Sequence, residues 1–505
     1  MRGLPIVVAL LIAVGSALAW QEPGGPEVMA RGPLHEAFAA PVVYNPMPGM
    51  VVPKAPPGPV EEQPPDQMPR GRDVEWIPGY WAWDDERADF LWISGIWRDL
   101  PPGRQWVPGY WSPAEGGSRW TPGFWSPLAA NGQVSYLPAP PRSLEIGPNA
   151  PQPGPEFLWM PGSWAWAEAR YLWRPGFWFQ SQPSWVWVPP SYVPTPAGYV
   201  FVDGYWDLPI ERRGVIFAPV VFQPALIVQP AYVYTPSVVL SIGGLTANLF
   251  IRPSCHQYYF GDYYAYAAEG PRSGYVAWFS FQQQRIGYDP IYASMAMRHR
   301  GEPEWDHRVR SEYTYRVEHR EARPAPTFLA QREQVERRRE HGEDVRGLEI
   351  AHPLGHPGLG TESAHRLEPV RETHRAELVA RQENVRRVQQ DRARLESTAP
   401  HEVHAHAHAH AEPHPPHQME IPHSTIAARP APGRGHVEPS HHAPPAHPDG
   451  HEAFRPTFAP QPHREPIARP SAMPRHAEPQ ARPAAEHHAE PKPRAAEHHK
   501  PAHER

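Results

Sequence analysis

Trp106-Val107-Pro108-Gly109-Tyr110-Trp111 is followed fourteen residues on by Trp120-Thr121-Pro122-Gly123-Phe124-Trp125. The same unit, Trp-x-Pro-Gly-aromatic-Trp, recurs at Trp76 to Trp81 and at Trp173 to Trp178, with variants at Trp92 to Trp97 and Trp159 to Trp164. Decayed copies stand at Trp187 to Tyr192 and Phe201 to Trp206. Copies start at 76, 92, 106, 120, 159, 173, 187 and 201, a step of 14 in five of seven intervals. Seventeen of the 20 tryptophans lie in this stretch, so the repeat is the organising feature of the chain.

A step of this length suits one strand and a short turn. The turns read as Asp84-Asp85-Glu86, Pro101-Pro102-Gly103, Ala114-Glu115-Gly116-Gly117 and Ala167-Glu168-Ala169, and the aromatic and β-branched remainder favours strand. The internal Pro-Gly fits a type II turn at a hairpin tip. It fits better as a bulge or bend inside a strand, because type II turns splay hairpin strands. Gly79, Gly95, Gly109, Gly123, Gly162 and Gly176 are then structural, and a positive φ is expected at Gly79, Gly109, Gly123 and Gly176.

Outside the repeat, composition divides the chain. Arg2, the apolar run Leu4 to Val14 and Ala17-Leu18-Ala19 read as a signal peptide over 1–19, and no later stretch is long enough to span a bilayer. Residues 20–70 read as a disordered Pro-rich spacer and 71–210 as the repeat region, in two groups of four divided by a linker at 126–156. Residues 211–295 read as aromatic strands punctuated by proline, 296–398 as charged and partly helical, and 399–505 as a disordered His- and Pro-rich tail. Helix formers run from Phe328 to Glu340 and from Val370 to Leu395. In the second run Leu378, Val385, Val388 and Leu395 make a heptad-like stripe crossed by Arg392, which favours a solvated single helix over a coiled coil. The fold class is therefore mainly β, an antiparallel meander of aromatic repeats, followed by charged helices and a long tail.

The Trp-x-x-Gly-x-Trp unit, repeated at this spacing behind a signal peptide, resembles the bacterial WXXGXW (YXWGXW) repeat proteins, which are exported or envelope-associated. The resemblance covers residues 76–206 and implies a place and a class. It supplies no catalytic residue to carry over.

The residues themselves offer little chemistry. No nucleophile elbow, zinc-protease helix, phosphate loop or Cys-x-x-Cys is present, and Cys255 is the single cysteine, so no internal disulfide can form. The expected character is that of a non-enzyme. A net charge of −6 with Lys and Arg spread throughout gives no basic face for nucleic acid. Two binding chemistries stay open. Trp76, Trp81, Trp106, Trp111, Trp120, Trp125, Trp173 and Trp178 could face a ligand such as a polysaccharide, or form the core of a sheet that has no disulfide. His404, His406, His408 and His410 alternate strictly and could take up Zn, Ni or Cu adventitiously, although no cofactor is expected. The tail holds 20 of the 30 histidines, with 11 Lys or Arg against 12 Asp or Glu, so mild acid should turn it cationic and able to bind anionic polymers. The expected role is a secreted or periplasmic structural and interaction protein of the cell envelope or matrix. Its partner is an envelope polymer or protein that the sequence does not name.

Overall fold

The computed structural model describes residues 25–71, 73–182, 184–270, 273–356, 366–398 and 416–428, all within one compact unit. The expected signal peptide and His404, His406, His408 and His410 lie outside the described residues.

In each repeat the Pro-Gly step, or the Ser-Gly, Pro-Pro or Asp-Gly pair that stands in its place, divides a strand into two halves. The first repeat gives Val74–Ile77 and Tyr80–Asp84, and the second gives Asp89–Ile93 and Ile96–Asp99. These halves pair antiparallel, with Trp76 opposite Trp97 and Trp81 opposite Trp92, so two repeats make one bent hairpin (74–99). The register recurs in a second hairpin (104–127), where Trp106 faces Trp125 and Trp111 faces Trp120. A third (157–180) pairs Trp159 with Trp178 and Trp164 with Trp173. A fourth (186–207) pairs Trp187 with Trp206 and Tyr192 with Phe201. Eight repeats are thus four hairpins of two, two before the long interval and two after it. The pairing follows the turn residues: at the third tip Glu168 and Ala169 both have positive φ, 53° and 58°, as a type I′ turn requires.

The hairpins do not continue one another as a single meander. Short strands from elsewhere extend them: Val220–Val221 joins the first hairpin beside Asp89–Ile93, Gly214–Ile216 pairs with Ile96–Asp99, and Val51–Val52 pairs with Gly117–Thr121. The fold is antiparallel β in several small sheets, with longer helices from residue 290 onward.

Several boundaries differ from the sequence reading. Residues 25–70 are no loose spacer, because Leu34, Phe38 and Val60 are buried in the core and Gly32–Pro33 joins a four-stranded sheet. Their anchors are single residues, which leave no periodicity to read. The linker at 126–156 contains the strand Gln133–Leu137, which pairs with the fourth hairpin and with His417–Glu420 of the expected free tail. Residues 211–295 include the helices Ile242–Ala247 and Pro290–Arg298, the second capped by Asp289, whose carboxylate accepts from the N–H groups of Ile291 and Tyr292.

The helix Phe328–Glu340 has the expected bounds and starts at a Thr327 cap. The helix Glu372–Thr398 is not solvated: Leu378, Gln382, Val385, Val388, Arg392 and Glu396 are all buried on one face. That stripe docks the helix on the hairpins rather than on another helix. None of the helices among the described residues is long and apolar enough to cross a membrane.

Candidate functional site: the paired repeat bends

Within each hairpin the two bends, both Pro-Gly in the second and third, lie side by side where the strand ladder is interrupted. The glycines do not take a left-handed conformation: the φ values of Gly79, Gly95, Gly109, Gly123, Gly162 and Gly176 all fall outside it, which corrects the expected positive φ. Their requirement is space. The first tryptophan of the opposing repeat lays its indole over each glycine, so a Cβ at Gly109, Gly162 or Gly176 would stand 2.5 Å from Cζ2 of Trp120, Trp173 or Trp159. A real Cβ does not approach a ring that closely.

The Pro-Gly peptide group is trans, so its N–H and C=O point in opposite directions. Each bend therefore offers amide protons on one side and carbonyl oxygens on the other. Where these groups are buried they require partners. A glutamate from outside the repeat fills the amide side of three hairpins. In the first, Glu62 accepts from the N–H groups of Gly79 (2.8 Å) and Gly95 (2.9 Å) and from Trp92 Nε1 (3.2 Å). In the second, Glu36 accepts from Gly123 N (3.0 Å), Trp120 Nε1 (3.3 Å) and the Gly109 amide. In the third, Glu145 accepts from Trp159 Nε1 (2.9 Å) and from Gly162 N. Burial pushes the carboxyl groups of Glu36 and Glu62 up to about 7, against the opposing pull of these donors. In the fourth hairpin Pro190 replaces one glycine and offers no N–H, and no side chain among the described residues takes that place.

Nitrogen donors meet the carbonyl side. Arg392 donates through Nη1 to Pro108 O and Pro122 O, both at 2.9 Å, while its guanidinium lies over Tyr110 and Phe124 at 5.2 and 5.0 Å. Arg392 and its partner Glu396 are fully buried, and Tyr110 and Tyr136 donate their hydroxyls to Glu396. In the first hairpin His35 Nε2 donates to Pro78 O at 3.2 Å and packs edge-on against Tyr80. Its Nδ1 accepts from Ala37 N, which fixes that tautomer, and burial lowers its pKa to about 4, so it is neutral at neutral pH. In the fourth, Arg104 Nη2 donates to Asp203 O (3.3 Å) and Gly204 O (3.0 Å) and covers Tyr205 at 4.9 Å. His35 and Glu36 are neighbours in sequence, so one short segment ties the first hairpin to the second.

The expected ligand-facing tryptophans separate by hairpin. Trp76, Trp81, Trp106 and Trp125 are buried core. Trp111 and Trp120 are half-buried and held by Trp81 O and Glu36. Trp173 and Trp178 are half-buried on the third hairpin, which also carries Leu172 and Phe177 at 39% and 54% exposure. The third hairpin thus carries the one exposed aromatic side chain among the described residues of the four hairpins, Phe177. Cys255 is half-buried on a 3-10 turn, Pro253–Cys255, rather than on a strand. The described residues contain no cluster of His, Cys, Asp or Glu that could hold a metal ion. A cavity of about 80 Å³ beside Glu36 and Trp106 has room for water but not for a ligand of drug size.

Glu36, Glu62, Glu145, His35, Arg104 and Arg392 complete the bends, and sequence reasoning assigned none of them this role. One signal was present: Glu62 and Glu145 each precede the first tryptophan of their hairpin, Trp76 and Trp159, by one 14-residue step. Glu36 has no such spacing to Trp106.

The chain carries WXXGXW repeats: the model of that family, described as the WXXGXW repeat in two copies, matches residues 71–98, 154–178, 171–189 and 197–209. The second hairpin has the same register, indole cover and glutamate as the matched first hairpin. No curated protein and no solved structure matches the chain.

Proposed function

We propose that this WXXGXW-repeat protein is exported to the cell envelope or matrix and acts there as a non-catalytic interaction protein, with the third hairpin as its contact surface for a partner protein. One observation carries the reading. Four hairpins share one construction, yet Ile96 of the first and Phe124 of the second are buried while Phe177, at the same position in the third, is 54% exposed. Among the described residues of the four hairpins, Leu172 and Phe177 are the large apolar side chains that are exposed, and both lie on the third. Rigid aromatic side chains of this kind anchor protein interfaces. The signal-peptide features of residues 1–19 support export.

The test is the double substitution L172S/F177S in the full chain, expressed in a native host. Both residues are exposed, so stability should change by no more than about 0.5 kcal/mol. Retention in the envelope fraction should be lost. Unchanged retention would overturn the contact surface. Retention that depends on the hairpin but follows purified polysaccharide alone would overturn the assignment to a protein partner.

A further inference from the structure

The carbonyl side of the third bend differs from the other three. In the second and fourth hairpins an arginine donates to the bend carbonyls and covers the aromatic residue that follows the glycine. In the first, His35 takes the same position against Pro78 O and Tyr80. The fourth hairpin is the close analogue of the third. Asp203, Gly204 and Tyr205 correspond to Pro175, Gly176 and Phe177, and Ser191 corresponds to Ser163 in the facing repeat. At the third bend no side chain among the described residues donates to Pro175 O or Gly176 O. Pro175 is exposed, as is Phe177, whose analogue Tyr205 is covered by Arg104. Arg174 beside it is exposed as well.

We propose that Pro175 O, Gly176 O and the face of Phe177 form a receptor for an arginine side chain carried by a partner polypeptide. The inference rests on the reading of the third hairpin as contact surface and adds the chemistry of what it contacts. Arginine is favoured over lysine because a planar guanidinium can donate to two neighbouring carbonyls while stacking on a ring. Binding would also cover the exposed ring, as Arg392 covers Phe124 in the second hairpin.

The experiment is saturation-transfer NMR on the full-length protein with acetyl-Gly-Arg-Gly-amide, against the same peptide with citrulline or lysine in the middle. Citrulline keeps the shape and removes the charge. The arginine peptide should show at least fivefold more transfer to its side-chain methylenes than the citrulline peptide, and at least twofold more than the lysine peptide. Phe177→Ser should reduce the arginine signal at least threefold, Phe177→Tyr should keep it, and Leu172→Ser should leave it within a factor of 1.5. Equal signals for arginine and citrulline, or no change in Phe177→Ser, would overturn the receptor. Loss of envelope retention in L172S/F177S without arginine selectivity would leave the contact surface standing and remove only this inference. Retained envelope binding in that variant would remove the contact surface itself.

Discussion

Replacing Gly109 by alanine tests whether the repeat glycine exists to admit an indole. A Cβ there would lie 2.5 Å from Trp120 Cζ2, 2.7 Å from Thr121 O and 2.8 Å from Glu36 Oε1. None of the three can yield easily. The Trp120 ring is stacked on Tyr80 at 4.9 Å and donates to Glu36, the carbonyl belongs to a paired strand, and the carboxylate is buried on three donors. Overpacking of this kind costs about 1–3 kcal/mol. Displacing the Gly109 amide from Glu36 adds about 1 kcal/mol. The expected destabilisation is roughly 3 kcal/mol, which for a unit of ~400 residues with an unfolding entropy of ~2.1 cal/mol/K per residue lowers Tm by about 4 °C. Calorimetry on the full chain measures it, and a double-mutant cycle locates the cause. In a Trp120→Phe background, which removes the ring edge carrying Cζ2, Gly109→Ala should cost no more than half as much. Equal costs in both backgrounds would refute the indole argument. An unchanged midpoint in the single variant would refute close approach altogether.

The buried carboxylates make a pH prediction of definite sign. Burial raises the Glu62 pKa in the folded state to about 7 from 4.5, so its contribution to stability is fully present below 4.5 and is lost as pH rises through 7. Urea denaturation at pH 5, 6, 7 and 8 should therefore show wild type losing stability relative to Glu62→Gln as pH rises, and a constant difference would contradict it. His35 has the opposite sign. Its pKa is lowered to about 4, so its contribution is present above 6.5 and is lost as pH falls through 4, and His35→Gln should flatten that acid limb of the same curves. Arg392→Met leaves Glu396 buried beside two tyrosine hydroxyls and strands two proline carbonyls, a loss of about 3–5 kcal/mol. Limited proteolysis should then cut within the helix Glu372–Thr398 at protease levels that leave wild type intact, and equal resistance would contradict the docking role.

How much of this was legible depends on whether a feature repeats. The 14-residue step, the aromatic alternation and the tip residues all recur, so strands, tips and an internal bend could be read from sequence alone. The φ of the glycines could not. A Pro-Gly pair suggests a turn, while the actual demand on Gly79 comes from Trp92 on the opposing strand, which only the register brings near. The glutamates were hidden for another reason: each is a single residue outside the repeat unit, and only the 14-residue spacing of Glu62 and Glu145 to Trp76 and Trp159 marks two of them. Arg392 was visible but misread as an interruption of an apolar stripe. A buried arginine there is favourable because the bend presents two carbonyls that nothing apolar could satisfy.

These particulars explain why a repeat rich in tryptophan needs polar residues from elsewhere in the chain. A bend that turns its Pro-Gly peptide out of the ladder gains room for an indole to cross the partner strand. It also leaves donors on one side and acceptors on the other with no partner in the repeat. Three hairpins take an acid from their surroundings and three a nitrogen donor, and they are not the same three. Where Pro190 removes one amide proton in the fourth hairpin, no glutamate fills that side among the described residues, while Arg104 still serves its carbonyl side. The two sides of a bend are therefore supplied independently. A hairpin that has its glutamate but not its nitrogen donor, as the third has Glu145 and an uncovered Phe177, is complete as a fold element and open on one side only. That asymmetry is the ground for the proposed contact surface on the carbonyl side of the third bend, where a partner would supply what Arg392 and Arg104 supply to its siblings.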